Sequence, residues 1–287
     1  METILKSARK TVVIGPERPT VLVGERINPT GKRRLAAALA EGDLEIIRQE
    51  ALAQVEAGAD VLDVNVGAAG VDEVDLLPKA VRLVMETVDV PVCIDTANIE
   101  ALRAALLVHQ EMAPEGKPLI NSVNGEEARL EGVLPLVAEY GTAVIGLAMD
   151  DDGIPMTAEQ RLRNAHKIVE RAAQLGIPAN DVIIDPLVLA VCADSQAARI
   201  TLQTMRLIVA EFGVNITMGA SNVSHGLPNR SAINAAFMAM AIASGLTCPI
   251  ANPLSIPVRE ATLASNLLLG HDEWAMAWIT YFRSRSK

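Results

Sequence analysis

The stretch DVLDVNVGAAGVDEVDLLPKAVRLVMETVDVPVCIDT, residues 60–96, places two short apolar runs on either side of a segment of helical length. The runs DVLDVNV and PVCIDT are nearly continuous in apolar character, which is typical of parallel strands that are covered on both faces. The intervening DEVDLLPKAVRLVMETV has the length and amphipathic spacing of a helix. The stretch therefore predicts a β-α-β unit, in which a helix joins two parallel strands.

The same alternation continues along the chain. Six more strands are predicted at TVLVGERI, PLINSV, AVIGLAM, VIIDPL, NITMGAS and CPIAN. Further helices are predicted at DLEIIRQEALAQVEAG, which ends at Gly58, and at TAEQRLRNAHKIVERAAQLG, which begins at a Thr157 cap and ends at Gly176. Eight strands without an intervening linker favour one (β/α)8 barrel domain over residues 1–287, rather than an open doubly wound sheet. The absence of a GxGxxG motif also disfavours a dinucleotide-binding fold.

Two extensions frame the predicted barrel. Before the first strand, KTVVIGPERP is predicted to form a short hairpin that closes the bottom of the barrel. At the other end of the chain, DEWAMAWITYFRSRSK is predicted to be a helix in which Trp274, Trp278 and Tyr281 share one face. That face packs on the chain's own barrel or contacts a second subunit, and the spacing fits both interpretations.

Composition narrows the class of protein. A formal net charge of −10 argues against a nucleic-acid or anionic-membrane surface, although GKRR, residues 31–34, is a local candidate for anion binding. The widely separated Cys93, Cys192 and Cys248 predict buried thiols rather than disulfides or a zinc site. The N-terminus lacks the pattern of a signal peptide, and the longest apolar run is too short to cross a bilayer. We therefore expect a soluble cytoplasmic protein.

Polar side chains follow most of the predicted strands. Because active sites in this fold lie at the C-terminal ends of the strands, these side chains are predicted to form a ring around one site. A helix cap or a turn explains any single one, and we expect this role for Asn98, Asn124 and Asn252. The repetition instead indicates a ligand. The ring comprises Glu25, Arg26, Asn28, Asp63, Asn65, Asp95, Asn98, Asn121, Ser122, Asn124, Asp185, Ser221, Asn222 and Asn252.

The residue types in the ring exclude several chemistries. No HExxH motif is present, neither Ser221 nor Ser224 lies in a GxSxG elbow, and no strand ends in a lysine that could form a Schiff base. A set of Asp and Asn side chains instead suits a planar heterocycle whose edge alternates donors and acceptors. A carboxylate accepts two parallel N–H bonds from a guanidine-like edge, and amides match the remaining groups. A pterin has such an edge.

Six motifs, GERIN, LDVNVG, CIDTAN, LINSVN, IDPL and SNVS, occur in this order at six strand ends. In these motifs the chain resembles the pterin-binding barrel family, and within it the methyltetrahydrofolate:corrinoid protein methyltransferases, which include the folate module of cobalamin-dependent methionine synthase. The resemblance runs from about Val21 to the predicted eighth helix. It implies an enzyme of one-carbon metabolism that moves a methyl group, in either direction, between N5 of tetrahydrofolate and the cobalt of a corrinoid. It also implies a homodimer.

The resemblance further implies roles for individual residues. Asp95, Asn121 and Asp185 would grip the pterin ring, and Asn222 would hydrogen-bond near N5 and act as the catalytic residue. His225 departs from the family pattern, because some relatives have Gln at this position. The other candidates for substrate binding are Arg230, Asn65, His225 and Glu25.

Two alternatives remain open at this point. Dihydropteroate synthase shares the fold, but its first strand leads into Asn-x-Thr-Pro-Asp-Ser-Phe, whereas this chain reads NPTGKRR and lacks the basic signatures expected near strands seven and eight. A non-catalytic folate-binding subunit is the other alternative. The chain also lacks the Asp-x-His-x-x-Gly signature of a cobalamin domain, so the cobalamin is expected on a partner corrinoid protein.

Overall fold

A computed structural model describes residues 1–285, in which a parallel sheet curls round a buried core and helices cover its outer face. The strands are β1 (Thr3–Lys6), β2 (Thr11–Ile14), β3 (Val23–Ile27), β4 (Val61–Val64), β5 (Val92–Asp95), β6 (Leu119–Asn124), β7 (Ala143–Leu147), β8 (Val182–Asp185) and β9 (Ile250–Ala251). The helices are α1 (Arg33–Ala40), α2 (Glu45–Glu56), α3 (Glu73–Thr87), α4 (Ile99–Met112), α5 (Glu127–Tyr140), α6 (Ala158–Gln174), α7 (Ala197–Phe212), α8 (Arg230–Ile242), α9 (Ile256–Leu268) and α10 (Met276–Arg285).

The predicted helices α2, α3 and α6 are confirmed, and their ends have the expected local chemistry. The Thr157 side chain accepts a hydrogen bond from the Gln160 backbone N–H at the start of α6. Gly58 and Gly176 follow α2 and α6 with positive φ angles of 94° and 76°. Glycine adopts this left-handed conformation without steric strain, so both helices end where the sequence predicts.

The parallel sheet has the order β8-β7-β6-β5-β4-β3-β9, which leaves a gap between β8 and β9. The predicted seventh strand, NITMGAS, fills this gap but is not a regular strand. It forms one parallel bridge on each side, from Ile216 to Ile184 and from Gly219 to Ile250. Directly after Gly219 the chain turns into a single 3-10 helix, Ala220–Ser224, so the extended segment is too short for a ladder. The segment closes the sheet into a (β/α)8 barrel.

A hairpin closes the bottom of the barrel, as expected, but its bounds differ from the prediction. KTVVIGPERP contributes only β2, and the other strand is β1, which lies earlier in the chain. Leu5, Val12 and Ile14 of this hairpin join the apolar core inside the barrel. The Asn215 amide fixes the junction, since its Nδ2 donates to Thr3 Oγ1 at 2.9 Å and to the Ile14 carbonyl at 3.1 Å.

The C-terminal helix is present, but the predicted aromatic face is wrong. Asp272 accepts the backbone N–H groups of Ala277 and Trp278 at 2.9 and 3.0 Å, which starts α10 only at Met276. Trp274 therefore lies before the helix, where its φ is +56° and its side chain is 88% exposed. Within α10, Trp278 instead packs against Phe282 with ring centroids 4.7 Å apart. The last two residues of the predicted helix lie outside the described residues.

The thiols differ in part from the prediction. Cys93 and Cys248 are buried as expected, whereas Cys192 is exposed. The helices described within residues 1–285 include none with the combined length and hydropathy of a membrane span.

Candidate functional site

Two carboxyl groups, the buried Asp63 and the partly buried Asp95, lie side by side at the C-terminal ends of β4 and β5. Asp63 is only 2% exposed, and the Asn121 Nδ2 donates to its Oδ1 at 3.2 Å. Burial, and next the charge of Asp95, raise the pKa of Asp63 well above its ordinary value. A hydrogen bond joins Asp63 to Asp95 and lowers the pKa of Asp95.

Asp95 is surrounded by amide donors. Burial raises its pKa to about 6, while hydrogen bonds from Asn65 and Asp63 lower it. A longer contact of 3.4 Å joins the Asn28 Nδ2 to Asp95 Oδ2. Asn65 is itself held by the Gly67 backbone N–H, which donates to its Oδ1 at 2.8 Å. The charge of Glu73 also raises the pKa of Asp95, so burial and Glu73 act against the hydrogen bonds that Asp95 accepts.

Asp185 ends β8 and is 8% exposed. The Leu187 backbone N–H donates to its Oδ1 at 2.7 Å. Burial raises the pKa of Asp185 to about 6, although the Leu187 N–H and the charge of Arg161 oppose this shift. No cation in residues 1–285 lies within 4.0 Å of either Asp95 or Asp185. In the described residues the ring therefore contains two carboxyl groups without ion-pair partners, the partly buried Asp95 and the buried Asp185.

Glu25, on β3, connects the ring to the 3-10 turn Ala220–Ser224. Ser221 Oγ donates to Glu25 Oε1 at 3.1 Å. Burial raises the pKa of Glu25, and the Ser221 hydrogen bond and the charges of Lys32, Arg230 and Arg26 oppose this. The Lys32 ammonium donates to the Glu25 carbonyl at 3.2 Å, which fixes the loop after β3. Glu25 thus lies between Lys32 of GKRR and the turn.

The turn holds Asn222 in place without occupying its side chain. Arg230 braces the turn, since its Nη2 donates to the Ser221 carbonyl at 2.7 Å and its Nε to Ser224 Oγ at 3.0 Å. The Asn222 side chain is exposed, and its amide has no hydrogen-bond partner in the part of the chain that the structure describes. A Cβ on Gly219 would lie 3.0 Å from Asn222 Nδ2, so the glycine leaves room for this amide.

The remaining candidates occupy the rim. The His225 side chain is exposed, and its backbone carbonyl accepts a hydrogen bond from the Cys192 thiol at 3.0 Å. The Arg26 guanidinium forms an ion pair with Glu50 at 2.6 Å, so it is not available to a ligand in the ring. Asn98, Asn124 and Asn252 accept backbone N–H groups of following residues, which confirms the cap and turn roles. Among residues 1–285 no group of three or more His, Cys, Asp or Glu side chains is placed to hold a metal ion.

Sequence reasoning assigned no role to one buried residue of the ring, Asp63, and missed a second buried residue near it, Arg161. Asp63 was counted in the ring without a role, although a carboxyl inside the apolar run VLDV is itself a signal. Arg161, on α6, lies in register with Ala165, Ile168 and Ala172, which form the buried stripe of that helix. An arginine at such a position needs internal partners, and this pattern could have identified it.

Comparison with known proteins identifies the family. Residues 24–252 match the family described as pterin binding enzyme, and this range includes the whole ring. The chain belongs to the pterin binding enzyme family. This pterin binding enzyme is 31% identical to the methylcorrinoid:tetrahydrofolate methyltransferase of Eubacterium limosum, over 92% of this chain and 96% of that protein.

Two further relatives are more distant. The pterin binding enzyme is 27% identical to the methionine synthase of Mycobacterium tuberculosis over 93% of its own length, but it spans only 24% of that protein. The crystal structure of Yersinia pestis dihydropteroate synthase superimposes with a TM-score of 0.69, over 94% of this chain and all of that chain, at 16% identity. At that identity the superposition shows the shared fold alone.

Proposed function

We propose that this pterin binding enzyme moves a methyl group between N5 of tetrahydrofolate and the cobalt of a corrinoid carried by a partner protein. The observation that carries the proposal is the exposed Asn222 amide, which has no hydrogen-bond partner in the described residues and lies at the same end of the barrel as Asp95 and Asp185. The similarity to a methylcorrinoid:tetrahydrofolate methyltransferase over nearly the full length of both chains supports the same reaction.

The ring matches the hydrogen-bonding edge of a pterin. Asp95 and Asp185 accept hydrogen bonds from the protein but have no ion-pair partner in the described residues, and N–H groups of the pterin would supply further donors. The Asn121 Nδ2 donates a hydrogen bond to Asp63, and the amide oxygen of Asn121 is available to accept a ring N–H. Asp63 and Asn65 would orient these groups through their hydrogen bonds.

Asn222 is the proposed catalytic residue. A neutral amine is a poor leaving group, so N5 needs a hydrogen-bond donor as the methyl group departs. The side-chain amide can donate to N5, and a bond that strengthens in the transition state accelerates the reaction. When bound, the partner's corrinoid supplies the cobalt that receives or delivers the methyl group. The exposure of Asn222 leaves this side of the pterin open to that partner.

The other rim residues complete the proposed substrate site. Arg230 holds the turn with two of its five N–H donors, and the others are available to an oxygen of the folate or its tail. Glu25 fixes Ser221, the neighbour of Asn222, through its carboxylate. His225 lies on the same rim with its ring exposed, where it would contact the folate tail.

The reaction is tested by mixing the protein with methyltetrahydrofolate and reduced cobalamin and following the Co(I) absorbance. We expect the absorbance to fall as the methyl group is transferred. Folate binding without any such change would indicate a folate-binding subunit instead. Formation of dihydropteroate from para-aminobenzoate and the pterin diphosphate would indicate a dihydropteroate synthase.

We also propose a homodimer that works in the cytoplasm. Leu268, Trp274 and Met276 form exposed apolar surface near the C-terminus, which fits a subunit contact. The three unpaired thiols fit a reducing compartment. Light scattering after size-exclusion chromatography tests the dimer, and a mass of one chain would contradict it.

A further inference from the structure

Arg161 is a fully buried cation beside the proposed folate site, with an exposed fraction of 0%. Burial of a guanidinium is unfavourable unless hydrogen bonds replace its water. No carboxylate in residues 1–285 lies within 4.0 Å of it. Its donors point at backbone carbonyls instead: Nε at Pro155 at 2.8 Å, and Nη1 at Pro186 and Leu187 at 2.9 and 2.7 Å. Its Nη2 has no partner in the described chain.

The carbonyls of Pro186 and Leu187 belong to the turn that follows Asp185. Leu187 has a φ of +68°, which a leucine rarely adopts without support from its surroundings. Its N–H donates to Asp185 Oδ1 at 2.7 Å, and its carbonyl accepts from both Arg161 and Thr201 Oγ1, the latter at 2.8 Å. The peptide groups of this turn are therefore held between the carboxylate on one side and two donors on the other.

We propose that Arg161 is a positioning residue, which fixes the orientation of Asp185 through the turn and maintains its charge without covering its oxygens. A direct ion pair would occupy the carboxylate oxygens that a pterin needs. A guanidinium beyond the intervening peptide stabilises the charge through space and leaves those oxygens accessible. The inference rests on the proposed function, in which Asp185 grips the ring.

Few other charges face this pair. Arg161 interacts with Asp185 and with Asp194, and both raise its pKa against the effect of burial. On the other side Asp185 faces Cys248, whose pKa is raised to about 12 by burial, so the thiol is neutral in the physiological range. Arg161 is thus the nearby group whose removal changes the charge around Asp185.

The test uses Arg161→Met and Arg161→Lys in the full chain. Methyltetrahydrofolate binding is measured by calorimetry across pH, and the titration of the Asp185 carboxyl is followed by ¹³C NMR in the ligand-free protein. For Arg161→Met we expect the dissociation constant at pH 7 to rise about tenfold or more, because a charged hydrogen-bond partner is misplaced. We also expect the titration midpoint of Asp185 to move to higher pH. Arg161→Lys, which retains the charge but not the fork of donors, should weaken binding with a smaller change of midpoint.

Two further variants separate positioning from loss of stability. Lys117→Met removes a partly buried cation at the bottom of the barrel, where Lys117 pairs with Asp181 at 2.6 Å. It should lower the melting temperature and leave both the dissociation constant and the midpoint unchanged. Thr201→Val removes a hydroxyl that donates to the Leu187 carbonyl and accepts from Arg161 Nη1 at 3.5 Å, but it retains the charge of Arg161, so binding should weaken while the midpoint stays in place.

The inference is overturned if folded Arg161→Met binds methyltetrahydrofolate like the wild type with an unchanged midpoint, or if Lys117→Met shifts both quantities equally. If Arg161→Met does not fold, the other two variants decide. The inference is then overturned if folded Arg161→Lys and Thr201→Val both bind methyltetrahydrofolate like the wild type. If the wild type binds no methyltetrahydrofolate, the proposed function fails. The NMR midpoint then decides alone: an upward shift in the Arg161 variants supports the inference, and no shift refutes it.

Discussion

The two ends of the barrel differ in how their polar side chains are paired. At the bottom, Lys117 pairs with Asp181 at 2.6 Å, and the Asn215 amide donates to the hairpin that closes the core. At the top, Asp95 and Asp185 have no cation within 4.0 Å in the described chain, and the Asn222 amide has no partner there. The bottom thus pairs its polar groups internally, whereas the top leaves polar groups available to a ligand.

The largest expected effect is the loss of methyl transfer in Asn222→Ala. Removal of a donor that acts in the transition state typically lowers the rate about 100-fold or more. Folate binding should change by only a few-fold, because the carboxylates that grip the ring are untouched. The rate is followed by the Co(I) absorbance and the binding by calorimetry.

Asn98→Ala is the matched control for this substitution. Asn98 is also an asparagine after a strand, but its side chain caps α4 by accepting the N–H groups of Glu100 and Ala101. Its loss should reduce stability by about 1 kcal/mol and leave transfer intact. Undiminished transfer by folded Asn222→Ala would remove Asn222 from the mechanism.

The next effect separates binding from stability at Asp185. Asp185→Asn should weaken methyltetrahydrofolate binding about tenfold or more, since an amide cannot accept two N–H bonds. The same change should raise the free energy of unfolding of the ligand-free protein by about 1–3 kcal/mol at pH 7, because a buried charge is removed. Chemical denaturation and calorimetry measure the two quantities. Weaker binding together with lower stability would indicate a structural role instead.

The pH dependence of stability follows from the same carboxyl groups. The pKa of Asp185 rises from 3.8 to about 6 in the folded protein. The folded state therefore binds more protons, so this contribution to stability is fully present below pH 3.8 and is lost as the pH rises through 6. Denaturation at a series of pH values should show this loss in the wild type. Asp185→Asn should flatten the curve, and an unchanged curve would contradict the assignment.

A smaller effect is expected at Gly219. Its φ of −72° is accessible to any residue, so only the space around its Cα limits a substitution. An added methyl would lie 3.0 Å from Asn222 Nδ2 and displace the amide by a few tenths of an ångström. Gly219→Ala should lower methyl transfer several-fold with little change in melting temperature. Gly141→Ala is a control remote from the turn. It should reduce stability, because alanine is strained at the φ of +62° that Gly141 adopts, and it should leave the rate of methyl transfer unchanged.

Much of the top of the barrel could be predicted from sequence, because the alternation of apolar runs and helices locates the strand ends. Asp95 and Asp185 lie where that pattern places them. The seventh strand could not be predicted in detail, since its two bridges depend on neighbours far along the chain. Trp274 was placed in a helix because periodicity does not reveal that Asp272 caps α10. The burial of Arg161 could be predicted from the apolar stripe of α6, but its partners could not, because they are backbone carbonyls, which carry no side-chain signature.

Proton release on folate binding tests whether the buried carboxylates grip the pterin. Near pH 6, Asp95 and Asp185 are partly protonated, and N–H donors from a bound pterin would lower their pKa values. Calorimetry of methyltetrahydrofolate binding in two buffers of different ionisation enthalpy measures the protons released. We predict release at pH 6 that vanishes at pH 8 and falls in Asp185→Asn. Binding at pH 6 without release, or with the same release in Asp185→Asn, would contradict the account.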